Sequence, residues 1–181
     1  MPLMVSEQEE HQREIMAAGQ KNFICAFVED LGFQKNFFEP NKPAKRQVVL
    51  CFEMEEKMTD GRPFMLSRKY TASLYKEKGK SSNLRRDLSQ WRGRDFNEQE
   101  AKAFDLLTLW GVRGQMIVTV EEGKNKIALF LPPTQGQTLP AAITNKDAPK
   151  WVSEEREKQV PDPALTKTNA PPPDPSDDLP F

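Results

Sequence analysis

Histidine and cysteine are scarce in this 181-residue chain: His11 stands alone, and Cys25 and Cys51 are the only thiols. Three such residues fall short of the usual four-ligand zinc site. Both cysteines sit in apolar, strand-like runs, which reads as buried thiols in a reducing setting. No apolar run approaches the roughly 18 residues of a membrane-spanning helix. The opening "MPLMVSEQEEHQREIM" is acidic and has no apolar h-region, so no signal peptide is expected. A glycine-rich phosphate loop and a nucleophile-elbow pattern are also missing. The carboxylates of "EMEE" and "EQE" lie among other charges, with no spacing that suggests paired metals. The expectation is a protein that is not an enzyme, with no cofactor, no metal and no membrane contact.

Apolar residues are sparse too, at 37% with a mean hydropathy of -0.70, against about 45–50% in globular chains. The deficit is local. Most of the 15 prolines fall after residue 131, so residues 136–173 read as a disordered linker that cannot bury enough surface to repay ordering. Charge is also partitioned. Residues 1–20 carry a net -3, residues 21–131 a net +5 and residues 132–181 a net -3. A basic body with an acidic tail hints at nucleic acid.

What is present is mostly strand pattern. Residues 1–20 form an arm, helical or disordered, with Ser6 as N-cap and Glu9 three positions on. "NFICAFVEDLGFQKNFF" reads as one long strand bent or bulged at Gly32. "RQVVLCFEM" and "FMLSRKYTASL" read as two more strands, separated by the turn "TDGRP". Ser82 or Asn83 caps a helix whose Leu84, Leu88 and Trp91 share a face, and Gly93 ends it. Asn97 caps a second helix that runs to Gly111, with acids in its first turn and Ala101, Phe104 and Leu107 on its inner face. "QMIVTVEEGKNKIALFLP" reads as strand, turn, strand. Three strands, a helical insert, then two strands is the order of a five-stranded oligonucleotide-binding barrel, the OB-fold. The expected class is therefore mainly β with a helical insert (α+β), an OB-like barrel over 21–135 with helices between strands 3 and 4.

Two stretches resemble known families. "DPSDDLPF", residues 174–181, resembles the C-terminal tip of bacterial single-stranded DNA-binding proteins through Asp174, Asp177, Asp178, Leu179, Pro180 and Phe181. The resemblance implies that this tip docks replication, recombination and repair partners, the Phe ring entering a pocket and a basic residue taking the carboxylate. "LSRKYTASLYKEKGKSSNLRRDLSQWRGRDFNEQEAKAFDLLTLWGVRGQMIVT" resembles a family of bacteriophage single-stranded DNA-binding proteins, most specifically in "NLRRDLSQWRGR". That implies an OB-like core, single-stranded DNA as ligand and the cytoplasm of a bacterial host as location.

The residues themselves suit that ligand. A binder without sequence preference needs cations for phosphates and aromatic faces for bases. Between Leu66 and Asp95 the chain has nine basic residues and three acids. The expected DNA contacts are Arg68, Lys69, Tyr70, Tyr75, Lys76, Lys78, Lys80, Arg85, Arg86, Arg92, Arg94 and Phe33. Tyr70 faces either the core or a base; Trp91 belongs to the core. Phe37 and Phe38 flank the same bend as Phe33, and at least one of the three belongs to the core. The arginines lie on or beside a helix that points its leucines inward, so their charges point out. The expected function is to coat and protect single-stranded DNA in phage replication or recombination and to recruit partners through the tip. The alternatives are a protein-binding adaptor on an OB-like body, or an RNA-binding protein. The oligomeric state is left open, a homo-oligomer among the options.

Overall fold

The structure, a computed structural model, describes residues 13–134 and 142–168. Its frame is a five-stranded antiparallel sheet. β1 (Gly19–Gln34), β2 (Lys45–Lys57) and β3 (Pro63–Thr71) form the first three strands, and β4 (Lys76–Glu77) with β5 (Lys80–Ser81) forms a small separate hairpin. α1 (Asn83–Arg92), α2 (Glu98–Lys102) and a 3-10 turn (Leu106–Leu109) follow, then β6 (Arg113–Glu121) and β7 (Lys124–Leu131). The strand order is β3-β2-β1-β6-β7. β1 bulges between Cys25 and Phe27 and again between Asp30 and Gly32, where Gly32 takes φ +69°. That left-handed backbone is what glycine permits at the expected bend.

The sheet is not closed into the expected barrel: β3 and β7 are its two edges. A side chain, not a ladder, spans the seam. Arg68 pairs with Asp87 at 3.2 Å and donates to the Ile127 carbonyl at 3.4 Å.

One face of the sheet builds the main core. Phe23, Phe52, Trp91 and Phe130 meet there, with Phe23 edge-on to Phe52 at 4.9 Å and to Trp91 at 5.1 Å between ring centroids. Each buried large side chain contributes about 1.5–3 kcal/mol, and edge-on aromatic pairs about 0.5–1.5 kcal/mol more. α1 packs onto this face through Leu84, Leu88 and Trp91, as its spacing requires. Ser82 accepts from the Arg85 N–H as N-cap, and Gly93 closes the helix at φ 75°. The second helix is shorter than expected. Its capping box of Asn97 and Glu100 is present, but it ends at Lys102. Asp105 then caps a new 3-10 turn by accepting from the Leu107 N–H at 2.9 Å. The break buries Leu109 and leaves Leu107 and Trp110 exposed.

The N-terminal arm and the linker both depart from expectation where they are described. Residues 13–18 carry no helix, and Met16 is fully buried. Its backbone exchanges two hydrogen bonds with the Asn125 side chain, at 2.8 and 2.7 Å. Residues 1–12, with the expected Ser6 cap, lie outside the described residues. Within the expected linker, α3 (Lys150–Glu157) and α4 (Pro163–Thr168) form, and α3 docks on the second face of the sheet. The reason is apolar surface on both faces of β1 and β2. Leu31, Val49 and Cys51 need cover, and Val152 supplies it at 2% exposure, with Trp151 and Ala148 beside it. The return is fixed by Glu53, itself buried. Its carboxylate accepts from the N–H groups of Thr144 at 2.7 Å and Asn145 at 2.9 Å, and from the Asn145 amide.

Cys25 and Cys51 are buried and neither forms a disulfide; burial pushes both thiols up to about 12. Among the described residues, no helix is long and apolar enough to cross a membrane.

Candidate functional site

A groove of about 1010 Å³ opens beside the ends of β1, β2 and β3, between the β1–β2 loop and the β4–β5 hairpin. The β1–β2 loop supplies two aromatic side chains. Phe37 and Phe38 are each 90% exposed, with ring centroids 5.7 Å apart and planes at 89°. The loop is shaped from within: Asn36 accepts from the Phe38 N–H at 3.0 Å and donates to Glu39 at 3.2 Å. Such a turn lifts the aromatic pair out of β1, which ends at Gln34. Lys35 and Lys45 flank the loop, and Gln47, Lys69 and Thr71 line the strand floor.

The opposite rim is Tyr75, 53% exposed, its hydroxyl donating to Glu77 at 2.8 Å. α1 holds this rim. Ser82 donates to the Ser73 carbonyl through its hydroxyl, and to the Tyr75 carbonyl through its N–H at 2.8 Å. Arg85 adds a bond to the Leu74 carbonyl at 3.1 Å. The groove lining thus carries Tyr75 as well as the phenylalanine pair, with the Gln47 amide and the Thr71 and Ser73 hydroxyls.

The sequence-expected residues divide into three groups. Lys69 and Tyr75 line the groove, and Lys76, Lys78 and Lys80 lie on the exposed hairpin next to Tyr75. Lys76 also pairs with Asp95, whose carboxyl is held well below the usual range by hydrogen bonds from Arg85 and then Lys76.

A second group serves the fold. Tyr70 borders the groove, but it is only 4% exposed and its hydroxyl donates to buried Asp87 at 2.9 Å. Burial pushes the phenol up, and the Asp87 charge adds to this. Its ring is core, not a stacking platform. Arg85, expected to point outward, is buried. It bonds the Phe96 carbonyl at 2.6 Å and Asp95 at 2.9 Å besides Leu74. A guanidinium has five donors, and here they tie loops together. Arg92 lies over the Phe96 ring at 4.1 Å and pairs with Glu100 at 3.0 Å. Arg68 spans the seam between the sheet edges.

The third group lies apart from the groove lining, Arg86 and Arg94 exposed and Phe33 half-buried. Arg86 pairs with Asp87 and Arg94 with Glu100. Phe33 is half-buried in β1, where its carbonyl bonds the Val160 N–H at 2.8 Å. The tip residues Asp174, Asp177, Asp178, Leu179, Pro180 and Phe181 lie outside the described residues.

Lys35, Lys45, Gln47 and Glu155 belong to the groove but not to the sequence-derived set. Phe37 and Phe38 were legible in part. The first strand was expected to run through both, but β1 stops at Gln34 and the Asn36 turn puts the pair in the loop. Glu155 also lines the groove and pairs with Lys69 at 3.2 Å.

No family model matches the sequence, and neither does any curated protein.

Proposed function

We propose that the chain binds single-stranded DNA in this groove, without sequence preference, and coats and protects strands exposed during phage DNA replication or recombination. The observation that carries the reading is the pair Phe37–Phe38, 90% exposed on a lysine-flanked loop. Exposed aromatic rings gain nothing for solubility, whereas base stacking uses every face they offer. Lys35, Lys45, Lys69 and the hairpin lysines supply the backbone cations, and Tyr75 a further platform.

The architecture supports an open, OB-like arrangement. In that fold the second and third strands and the first inter-strand loop take the oligonucleotide, and the groove lies where the equivalent elements meet. Arg68 bridging β3 to β7 is consistent with a barrel left partly open. In this proposal no reaction is catalysed and no cofactor is used. The terminal Asp174–Phe181 segment recruits replication and recombination proteins, and the site of action is the bacterial host cytoplasm.

The test is a titration of fluorescent oligo-dT at two salt concentrations, with duplex DNA and RNA as competitors. The expected result is preferential binding of the thymidine oligomer, weakening with salt by a logarithmic slope of about -0.7 per phosphate contact. Equal binding of duplex overturns the reading. Preference for RNA moves the ligand class, and no binding at all leaves the protein-adaptor alternative. Deleting residues 174–181 should abolish partner capture while DNA affinity holds or rises.

A further inference from the structure

Among the residues that line the groove, three are lysines and one, Glu155, is an acid. Its position is not incidental. Glu155 lies in the last turns of α3, and α3 is pinned from both sides. Val152 plugs the apolar second face, and Arg156 pairs with Glu29 and donates to the Asp30 carbonyl at 2.9 Å. The Glu155 backbone is fixed as well. Buried Gln34 donates its amide to the Glu155 carbonyl at 2.9 Å and to the Leu31 carbonyl at 2.7 Å. The backbone that carries the carboxylate is therefore anchored beside the groove.

Two cations share it. One oxygen accepts from Lys69 at 3.2 Å, the other from Lys158 at 2.7 Å. Lys69 belongs to the groove lining, and Lys158 is exposed just after α3.

Resting on the single-strand reading above, we infer that Glu155 is a resident counter-ion for the groove. It holds Lys69 in the place of a phosphate, and hands it over when a strand arrives. Lys158 makes the exchange inexpensive: when Lys69 turns to phosphate, the carboxylate keeps its shorter ion pair and is never left unpartnered. The arrangement sets affinity, because one backbone contact is formed only after an internal one is broken. A ligand that brings no phosphate to Lys69 leaves both ion pairs in place and gains nothing from that lysine.

Glu155→Gln keeps the size and hydrogen-bonding capacity and removes the charge. An exposed ion pair is worth roughly 0.2–1 kcal/mol, so the variant should bind oligo-dT tighter by about 1.4- to 5-fold at low salt. The gain must vanish when Lys69 is Met, since nothing is then left to release. Lys158→Met should weaken binding in the wild-type background, because Glu155 then leans on Lys69 alone, and should do nothing beside Glu155→Gln. Thermal melting of each variant checks the fold.

A wild-type chain that ignores oligo-dT overturns both this inference and the reading beneath it. A wild-type chain that binds, with Glu155→Gln unchanged, removes the handover alone. A gain that persists with Met at 69 makes Glu155 a general repulsive charge and also overturns it. Loss from Lys158→Met that persists with Gln at 155 makes Lys158 an ordinary phosphate contact, and the handover is again overturned.

Discussion

Truncating the two loop phenylalanines separates binding from folding more cleanly than any other change. Phe37 and Phe38 are 90% exposed, so replacing either by Ala removes almost no buried surface. The melting temperature should stay within the small range of surface substitutions, about 0.5 kcal/mol in stability. Binding should respond very differently. Base–aromatic stacking is worth about 1–3 kcal/mol per base, which is about 5- to 150-fold in dissociation constant. The rings touch edge-on at 5.7 Å, so they share one site. The double variant should therefore lose more than either single change but less than their product, as coupled neighbours do. Anisotropy of a labelled thymidine oligomer at low and moderate salt measures this. The salt slope should be unchanged, because no cation is removed. Two variants that bind like the parent would refute the stacking argument, and an altered slope would point to a displaced lysine instead.

Three further outcomes concern the fold. A Cβ at Gly114 would stand 2.4 Å from the Trp91 indole nitrogen and 2.7 Å from the Phe23 ring. Gly114→Ala should cost about 1–3 kcal/mol by overpacking, read by urea denaturation with a shift in tryptophan emission. Val152→Ala should cost about 1.5–3 kcal/mol and raise hydrogen exchange across 150–157 before the sheet opens; unchanged exchange would mean that α3 is not docked. Glu100 is held at about 2, first by Arg94 and then by the Asn97 N–H, below its ordinary 4.5. A depressed folded value stabilises above the ordinary one and fades as pH falls through the folded one. The melting advantage of the parent over Glu100→Gln should be full near neutrality and shrink between about pH 4.5 and 2.

The strands, α1 and its caps were legible because their signals are local. Ser82, Gly93 and the Leu84–Leu88–Trp91 spacing suffice for the helix. The β6–β7 turn follows from "EEGKN", where Glu122 and Gly123 take φ 51° and 68°. The second helix was overextended because Asp105 serves equally well inside a helix's polar face or as a new cap. Composition alone misread the described part of the expected linker, residues 142–168. It is poor in apolar residues, yet Val152 needs only one matching hollow. The clue lay elsewhere, in "ICAFV" and "VVLCF", whose unbroken apolar runs mark strands covered on both faces. Counting cations grouped Lys69, which lines the groove, with Arg85, which is buried, and could not separate them. Spacing says which way a helix faces, not which loop carbonyls await an arginine.

The docking of α3 bears on anyone who would shorten this chain to its sheet. A cut just past β7 looks safe in the letters, since proline and charge dominate the remaining residues. It would lay bare Leu31, Val49 and the Cys51 sulfur together, and strip the Glu53 carboxylate of all three of its donors. The trimmed product would be sticky and prone to air oxidation, and its poor behaviour would be blamed on the wrong half of the molecule.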